Sequence, residues 1–216
     1  MRMLYEKMYD LIKRGMDLCI AVILLILTSP LFIIISIAIK AEDGGNILFF
    51  QNRVGKDHQV FSIIKFRSMH EGSENIKNRL TPMQYNEFIK EYKLESDPRR
   101  TKVGILIRES KLDELPQLLN VIFGKMSLVG PRPITMDELR YYTQPEMELL
   151  LKVRPGLTGL WQINDGNNLS YENGKRQAIE IQYVKHRSFL LDLTILLKTF
   201  FLIIRKVMLT VFRKKK

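Results

Sequence analysis

Apolar and charged residues are distributed unevenly along this chain. From Leu18 to Ile39 there are 22 residues without a charge, bounded by Asp17 and Lys40. As a helix this run is about 33 Å long, enough to cross a bilayer. Ser29-Pro30 lies near its middle. Proline there removes a backbone hydrogen bond and disfavours helical geometry at the preceding residue. No second uncharged run of comparable length is present to shelter the break. A sharp bend that returns the chain to the side it entered therefore stands beside a simple crossing. Arg2, Lys7, Lys13 and Arg14 precede the run and favour a cytoplasmic N-terminus. A crossing then exports the basic remainder of the chain, whereas a re-entrant helix leaves both flanks in the cytoplasm.

Elsewhere the periodicities are shorter. Phe49 to Met69 alternates irregularly, with Gly55-Lys56-Asp57-His58 as a turn, and predicts a β-hairpin ending in Lys65-Phe66-Arg67-Ser68. Residues 71–100 are polar, with Pro82 and Pro98 limiting any helix, and predict one or two short surface helices around Met83–Lys93. Residues 101–130 predict the main helix of the domain and 136–152 a further amphipathic one. Pro155-Gly156-Leu-Thr158-Gly159 reads as a turn, and 164–174 as a loop rich in Asn and Gly. From Phe189 to Phe212, polar residues recur at Asp192, Thr199, Lys206 and Arg213, one helical face in an otherwise Leu, Ile, Phe and Val segment. With the tail Arg213-Lys214-Lys215-Lys216, this predicts an amphipathic helix lying in a membrane interface, its basic end on anionic headgroups. A core helix with a solvated tail is the alternative. The expected fold is α+β and mainly helical, with a small hairpin. It divides into a membrane segment at 1–40, a domain at 41–188 and an interfacial helix with its tail at 189–216.

Composition narrows the partners. The chain has 34 Lys and Arg against 23 Asp and Glu, a net charge of +11 in 216 residues. That excess suits nucleic acid, an anionic membrane surface or phosphorylated substrates. No nucleic-acid module is legible and aromatic residues do not interleave with basic ones, so nucleic acid is excluded. The only cysteine, Cys19, allows no internal disulfide and gives no sign of an oxidising compartment. The apolar run is too long for a signal-peptide core, and no small-residue cleavage site follows it.

The chemistry concentrates in Lys111-Leu-Asp113-Glu114-Leu-Pro116-Gln117-Leu-Leu-Asn120, followed by Gly130-Pro131-Arg132-Pro133. Asp113 reads as a helix N-cap, with Pro116 in the first turn and Gly124 as the C-terminal cap after Phe123. Adjacent helical residues point about 100° apart, so two functional acids there must take unequal roles. One attacks or transfers a proton, and the other holds a metal or orients its neighbour. Oxygen ligands of this kind suit Mg²⁺, which binds through one or two carboxylates plus substrate phosphates. Pro131 and Pro133 form a structural turn that presets Arg132 for bidentate phosphate binding, with a surface turn bearing a solvated arginine as the alternative. Arg108, Lys65 and Arg67 add positive charge near it. His58, His70 and His186 are too scattered for a metal site. No Walker loop or dinucleotide fingerprint is present.

Read in order, these segments make the chain resemble a bacterial sugar transferase, a monotopic polyprenol-phosphate phosphoglycosyl transferase. The motifs that carry the resemblance begin with the apolar segment with Ser29-Pro30 and Lys65-Phe66-Arg67-Ser68-Met69. Asp97-Pro98-Arg99-x-Thr101 and Leu112-Asp113-Glu114-Leu115-Pro116-Gln117-Leu-Leu-Asn120 follow. Met126-Ser127-Leu-Val-Gly130-Pro131-Arg132-Pro133 and Arg154-Pro155-Gly156-Leu-Thr158-Gly159 complete the series. The resemblance implies transfer of a sugar-1-phosphate from a UDP-sugar donor to polyprenyl phosphate, with release of UMP, on the cytoplasmic face of a bacterial inner membrane. It implies Asp113 as nucleophile on the β-phosphate, and Glu114 as its positioner or, with Asp113, as a ligand of Mg²⁺. Arg108 and Arg132 are implied as phosphate holders and Ser29-Pro30 as a re-entrant bend. Membrane lipids, and other enzymes of glycan assembly, are implied partners. The chain departs from the pattern at Asp165-Gly166-Asn167, where many relatives carry Gly-Arg-Asn, and at Lys111, where they carry a small hydroxyl residue. A non-catalytic membrane scaffold keeping the same fold shares every expectation except the need for the Asp113 carboxylate.

Overall fold

The computed structural model describes residues 2–73, 76–91, 94, 97–164, 169–171 and 173–213. The apolar run lies inside helix α1, Arg2–Asp43, which stays helical through Pro30. The break expected at Ser29-Pro30 is therefore no interruption of the helix. Pro30 has no N–H for the carbonyl of Ile26, and the Ser29 hydroxyl takes its place, donating to that carbonyl at 2.8 Å. Thr28 does the same for Leu24 at 2.7 Å. This local rescue is how a helix tolerates proline. By length and composition α1 is apolar enough to cross a membrane, and most of its middle is uncovered; Leu27 is 71% exposed.

Both ends of α1 are fastened to the same domain. Near its start, Arg14 donates to the carbonyls of Val121 and Ile122, and the Asp17 carboxylate accepts from the Ser127 hydroxyl and the Leu128 amide. At its far end Glu42 accepts from the amides of Lys102 and Val103, and Asp43 pairs with Arg67.

Strands β1, Leu48–Val54, and β2, Val60–Phe66, form the expected antiparallel hairpin with Phe50 opposite Ile64. The turn is a 3-10 segment in which Asp57 takes a left-handed φ of 54°. Short helices α2, Ile76–Arg79, and α3, Pro82–Glu91, follow; Lys93 falls outside the described residues.

The single helix expected within 101–130 is instead two. Helix α4 is Lys102–Glu109, a 3-10 turn spans Leu112–Glu114, and α5 is Gln117–Ile122. Helix α4 stops because the Ser110 hydroxyl folds back onto the carbonyls of Leu106 and Ile107, and Lys111 then takes a left-handed φ of 63°. Helix α5 ends as expected, with Gly124 at φ 74°. Asn120 on α5 completes the exposed edge of β2, accepting from the Ile64 amide and donating to the Ser62 carbonyl.

Strand β3, Ser127–Val129, precedes a 3-10 segment at Asp137–Tyr141 and helix α6, Gln144–Leu150, which together replace the one helix expected at 136–152. The supposed turn after Pro155 is strand β4, Gly156–Thr158, paired parallel to β3. Its glycine is required by close approach: a Cβ on Gly156 would stand 2.6 Å from the Gly130 Cα, and one on Gly130 would stand 2.6 Å from the Arg154 carbonyl oxygen. Helices α7, Leu160–Ile163, α8, Lys175–His186, and α9, Phe189–Arg213, complete the order.

The main core joins Leu118, Val121, Met126, Ile134, Phe61, Ile63 and Tyr183 to Ala21 of α1 and Ile195 of α9. A second cluster holds Ile35, Ile39, Phe66 and Ile107 together. Helix α9 is amphipathic, with Asp192 and Thr199 of its polar stripe turned into the domain and its apolar face turned outward. Asp192 is buried and accepts from Tyr9, Lys13 and Tyr183, each at 2.7 Å. Thr199 shares a hydrogen bond with Thr158. The outward face carries Leu193, Leu197, Phe200, Phe201 and Met208. A face this apolar suits lipid better than water. Lys214–Lys216 lie outside the described residues.

Candidate active site

Asp113 sits in the one-turn 3-10 segment between α4 and α5, buried and close to the end of β2. It does not act as the expected N-cap; Pro116 occupies that position for α5. Among the described residues no donor hydrogen-bonds its carboxylate. Burial, and then the neighbouring charge of Glu114, push its pKa above the ordinary carboxylate range against the pull of Lys65, Arg108 and Lys111. Glu114 behaves oppositely. Burial alone would raise it, but Lys65, Lys111 and Arg132 hold it below its usual value, and the Lys65 ammonium lies 3.6 Å away. The two adjacent acids, about 120° apart on the 3-10 turn, are thus electrostatically distinct.

The structure brings Lys65, Arg108 and Arg132 to this pair. Burial lowers the pKa of Lys65, which feels both acids. Arg108, on the last turn of α4, is likewise lowered by burial and feels Asp113 and Glu114; among the described residues its guanidinium forms no hydrogen bond. Such a cation is available to an anion. Arg132 is carried by a buried strap rather than a surface turn. The Pro131 carbonyl accepts from Gly156, the Ile134 carbonyl accepts from Val54, and the Arg132 amide donates to Glu180. Its guanidinium is aimed by Glu138 at 2.7 Å. Arg67 is not part of this site. Its side chain is spent on Asp43 and the carbonyls of Asn46 and Met69, locking the far end of α1 to the hairpin. Ser29 and Pro30 lie within the apolar run, remote in sequence from every one of these groups.

Several residues of the site lie outside the sequence-based expectation. Glu138 is almost fully buried and receives Arg53 at 3.0 Å as well as Arg132. Burial raises its carboxyl, but the two guanidiniums reverse that and hold it at about 2. Glu180, fully enclosed, is pushed up by burial to about 7. Tyr171 stacks on Tyr141 with ring centroids 4.6 Å apart and carries Arg176 over its own ring at 4.5 Å. Glu138 left one signal, the Thr135-x-x-Glu138 spacing of a capping box, which is formed. That pattern explains a cap and conceals the charge relay. Lys111 supplies positive charge to both acids from its left-handed position. Asp165-Gly166-Asn167 lies outside the described residues.

A sequence model of the family described as bacterial sugar transferase matches residues 8–206. The exopolysaccharide production protein ExoY of Sinorhizobium fredii is 45% identical over 190 residues, 87% of this chain and 83% of that protein. The undecaprenyl-phosphate galactose phosphotransferase of Salmonella typhimurium is 40% identical over 198 residues, 90% of this chain but 41% of that longer protein. An Aeromonas hydrophila UDP-N-acetylgalactosamine-undecaprenyl-phosphate N-acetylgalactosaminephosphotransferase is 37% identical over 203 residues, 91% of this chain and 44% of that protein.

Proposed function

This chain belongs to the bacterial sugar transferase family and is a transferase, and from that premise we propose that it moves a sugar-1-phosphate from a UDP-sugar to polyprenyl phosphate. The observation that carries the reading is the Asp113 carboxylate, buried without a hydrogen-bond donor among the described residues and faced by Lys65, Arg108 and Lys111, with Arg132 acting on the adjacent Glu114. A scaffold has no use for such a carboxylate, whose burial is unfavourable.

In the proposed reaction an Asp113 oxygen attacks the β-phosphorus of the donor. The anhydride bond to the α-phosphate breaks, and UMP leaves with the bridging oxygen. The sugar-phosphate is then held as an acyl phosphate. An oxygen of the polyprenyl phosphate attacks the same phosphorus, the bond to Asp113 breaks, and the carboxylate is restored. Covalent catalysis of this kind divides one difficult transfer into two easier ones. Arg108 and Arg132 neutralise the phosphates, and Lys65 keeps Glu114 ionised beside the nucleophile. Asp113 and Glu114 fit Mg²⁺ as a pair of oxygen donors. Substrate phosphates would complete the shell of such an ion. Its chemistry there would be charge neutralisation on the diphosphate.

The acceptor reading rests on α1. Asp17 and Glu42 flank the apolar run and both hold the same domain. A straight crossing would separate them by about 38 Å on opposite sides of the bilayer. Re-entry keeps both, and the active site, on one face, and the basic N-terminal turns favour the cytoplasmic face of the inner membrane. Single cysteines replacing Glu6 and Ala41 in a Cys19→Ser background should then react equally with an impermeant thiol reagent from the cytoplasmic side. Labelling from opposite sides would refute re-entry.

The activity is tested with purified protein, Mg²⁺, polyprenyl phosphate and a panel of UDP-sugars. UMP should appear with one or a few donors and only when the lipid phosphate is present for continued turnover. Silence across the panel, with a working relative alongside, would overturn the reading.

A further inference from the structure

Away from Asp113, segments distant in sequence converge on a second charged recess. It is lined by Lys13, Arg14 and Asp17 of α1, by Lys56 in the hairpin turn, and by Lys152 and Arg154 before β4; Asp10 and Arg187 complete its rim. Three contacts assemble it. The Asp57 amide donates to the Leu151 carbonyl at 2.8 Å, which sets Lys56 beside Lys152. The Ser127 amide donates to Pro155, which places Arg154 against β3. Asp17 then holds α1 on Ser127 and Leu128.

The charges do not balance. Lys13 is paired with Asp192 and Arg187 with Asp10. Arg14 and Arg154 hydrogen-bond only carbonyls, those of Val121, Ile122 and Gly124, and so keep their positive charge. Among the described residues, the Lys56 and Lys152 ammonium groups form no hydrogen bond or ion pair. Asp17 is spent on Ser127 and Leu128. Four cations therefore face one recess with no carboxylate hydrogen-bonded to them among the described residues, an arrangement that attracts and concentrates anions.

The structure assigns this recess as a second anion site, separate from the transferase centre, that takes a phosphate-bearing group. It is remote from Asp113: Lys56 is at the turn of the hairpin and Lys65 at its other end, about 20 Å along β2. It is also next to the lipid. Asp17 is the last charge before the apolar run, so Arg14 and Lys13 lie within about 8 Å, along α1, of where that run begins. The same phosphate chemistry is offered by an anionic lipid headgroup and by a soluble phosphate. The lipid source rests on the membrane reading of α1, and the soluble one does not.

The test uses the full chain in discs of zwitterionic lipid and reads its thermal unfolding midpoint. One arm adds phosphatidylglycerol to the discs; the other adds inorganic phosphate against chloride of equal ionic strength. The wild type should gain several degrees in at least one arm, and the arm that responds names the source. K56E/K152E, and the milder K56Q/K152Q, should lose most of that gain, whereas K102E/K185E, charge-matched and on the surface elsewhere, should keep it. UMP release is not the readout, so an inactive chain can still pass, and an active one can still fail. The assignment is overturned if neither arm shifts the wild type, if K56E/K152E keeps the full shift, or if K102E/K185E loses as much.

Discussion

Asp113→Asn is expected to lower UMP release by on the order of 10⁴-fold or more, as loss of a covalent nucleophile does, without weakening the fold. The amide has the same shape but forms no acyl phosphate. Stability should move the other way. A carboxylate whose folded pKa is raised destabilises the folded state at pH values where it is ionised, so a neutral isostere removes that burden. The variant should therefore melt at or slightly above the wild-type temperature at neutral pH while remaining membrane-bound. The wild-type rate should fall on acidification earlier than an ordinary aspartate near 3.9 would dictate, because the nucleophile must be ionised and its carboxyl is raised. Substantial residual turnover in Asp113→Asn would remove Asp113 from the role of nucleophile. A marked drop in its melting temperature would mean that the carboxylate supports the fold.

The unequal character of Asp113 and Glu114 was legible from their adjacency alone, and so was the gathering of Lys65, Arg108 and Arg132 around them. Their setting was not. The apolar spacing through Ile107, Leu112, Leu115 and Leu118 continues across the site as if one helix carried it. The break comes from one non-glycine residue in the left-handed region, Lys111, whose preference no pattern reveals. Pro155-Gly156 reads as a turn because those residues usually make turns, whereas here glycine admits the backbone of Gly130 to a parallel strand pair. The stripe on α9 was legible as a face, but not what Asp192 and Thr199 of that face would meet. Periodicity identifies a side of a helix, but which side meets solvent depends on partners such as Tyr9, 183 residues away from Asp192. Arg67 was misplaced for a related reason: it follows closely on Lys65, which does reach Glu114, but its own partner, Asp43, ends helix α1.

Glu138→Ala is expected to cost about 3–5 kcal/mol of stability, because it leaves the buried Arg53 and the partly buried Arg132 without their shared counter-charge. For a chain of this size that is a fall of roughly 10 °C in melting temperature. Linkage gives an independent check. The folded pKa of Glu138 is depressed from 4.5 to about 2, so its contribution is fully present above the unfolded value and is lost as pH falls through that window. The size of that contribution is about 3 kcal/mol. Wild-type protein should therefore lose stability steeply on acidification from about pH 4.5, and the variant less so. Donor affinity should fall too, since Arg132 loses the carboxylate that aims it. A second capping box in the chain supplies the comparison. Thr143 and Glu146 make the same reciprocal bonds at an exposed site with no arginine attached, and Glu146→Ala should cost only about 1 kcal/mol. If the two variants lose equal stability, Glu138 is a cap and nothing more. A several-fold larger loss at Glu138, with a raised KM for the UDP-sugar, identifies it as the residue that holds two arginines in place for the transfer.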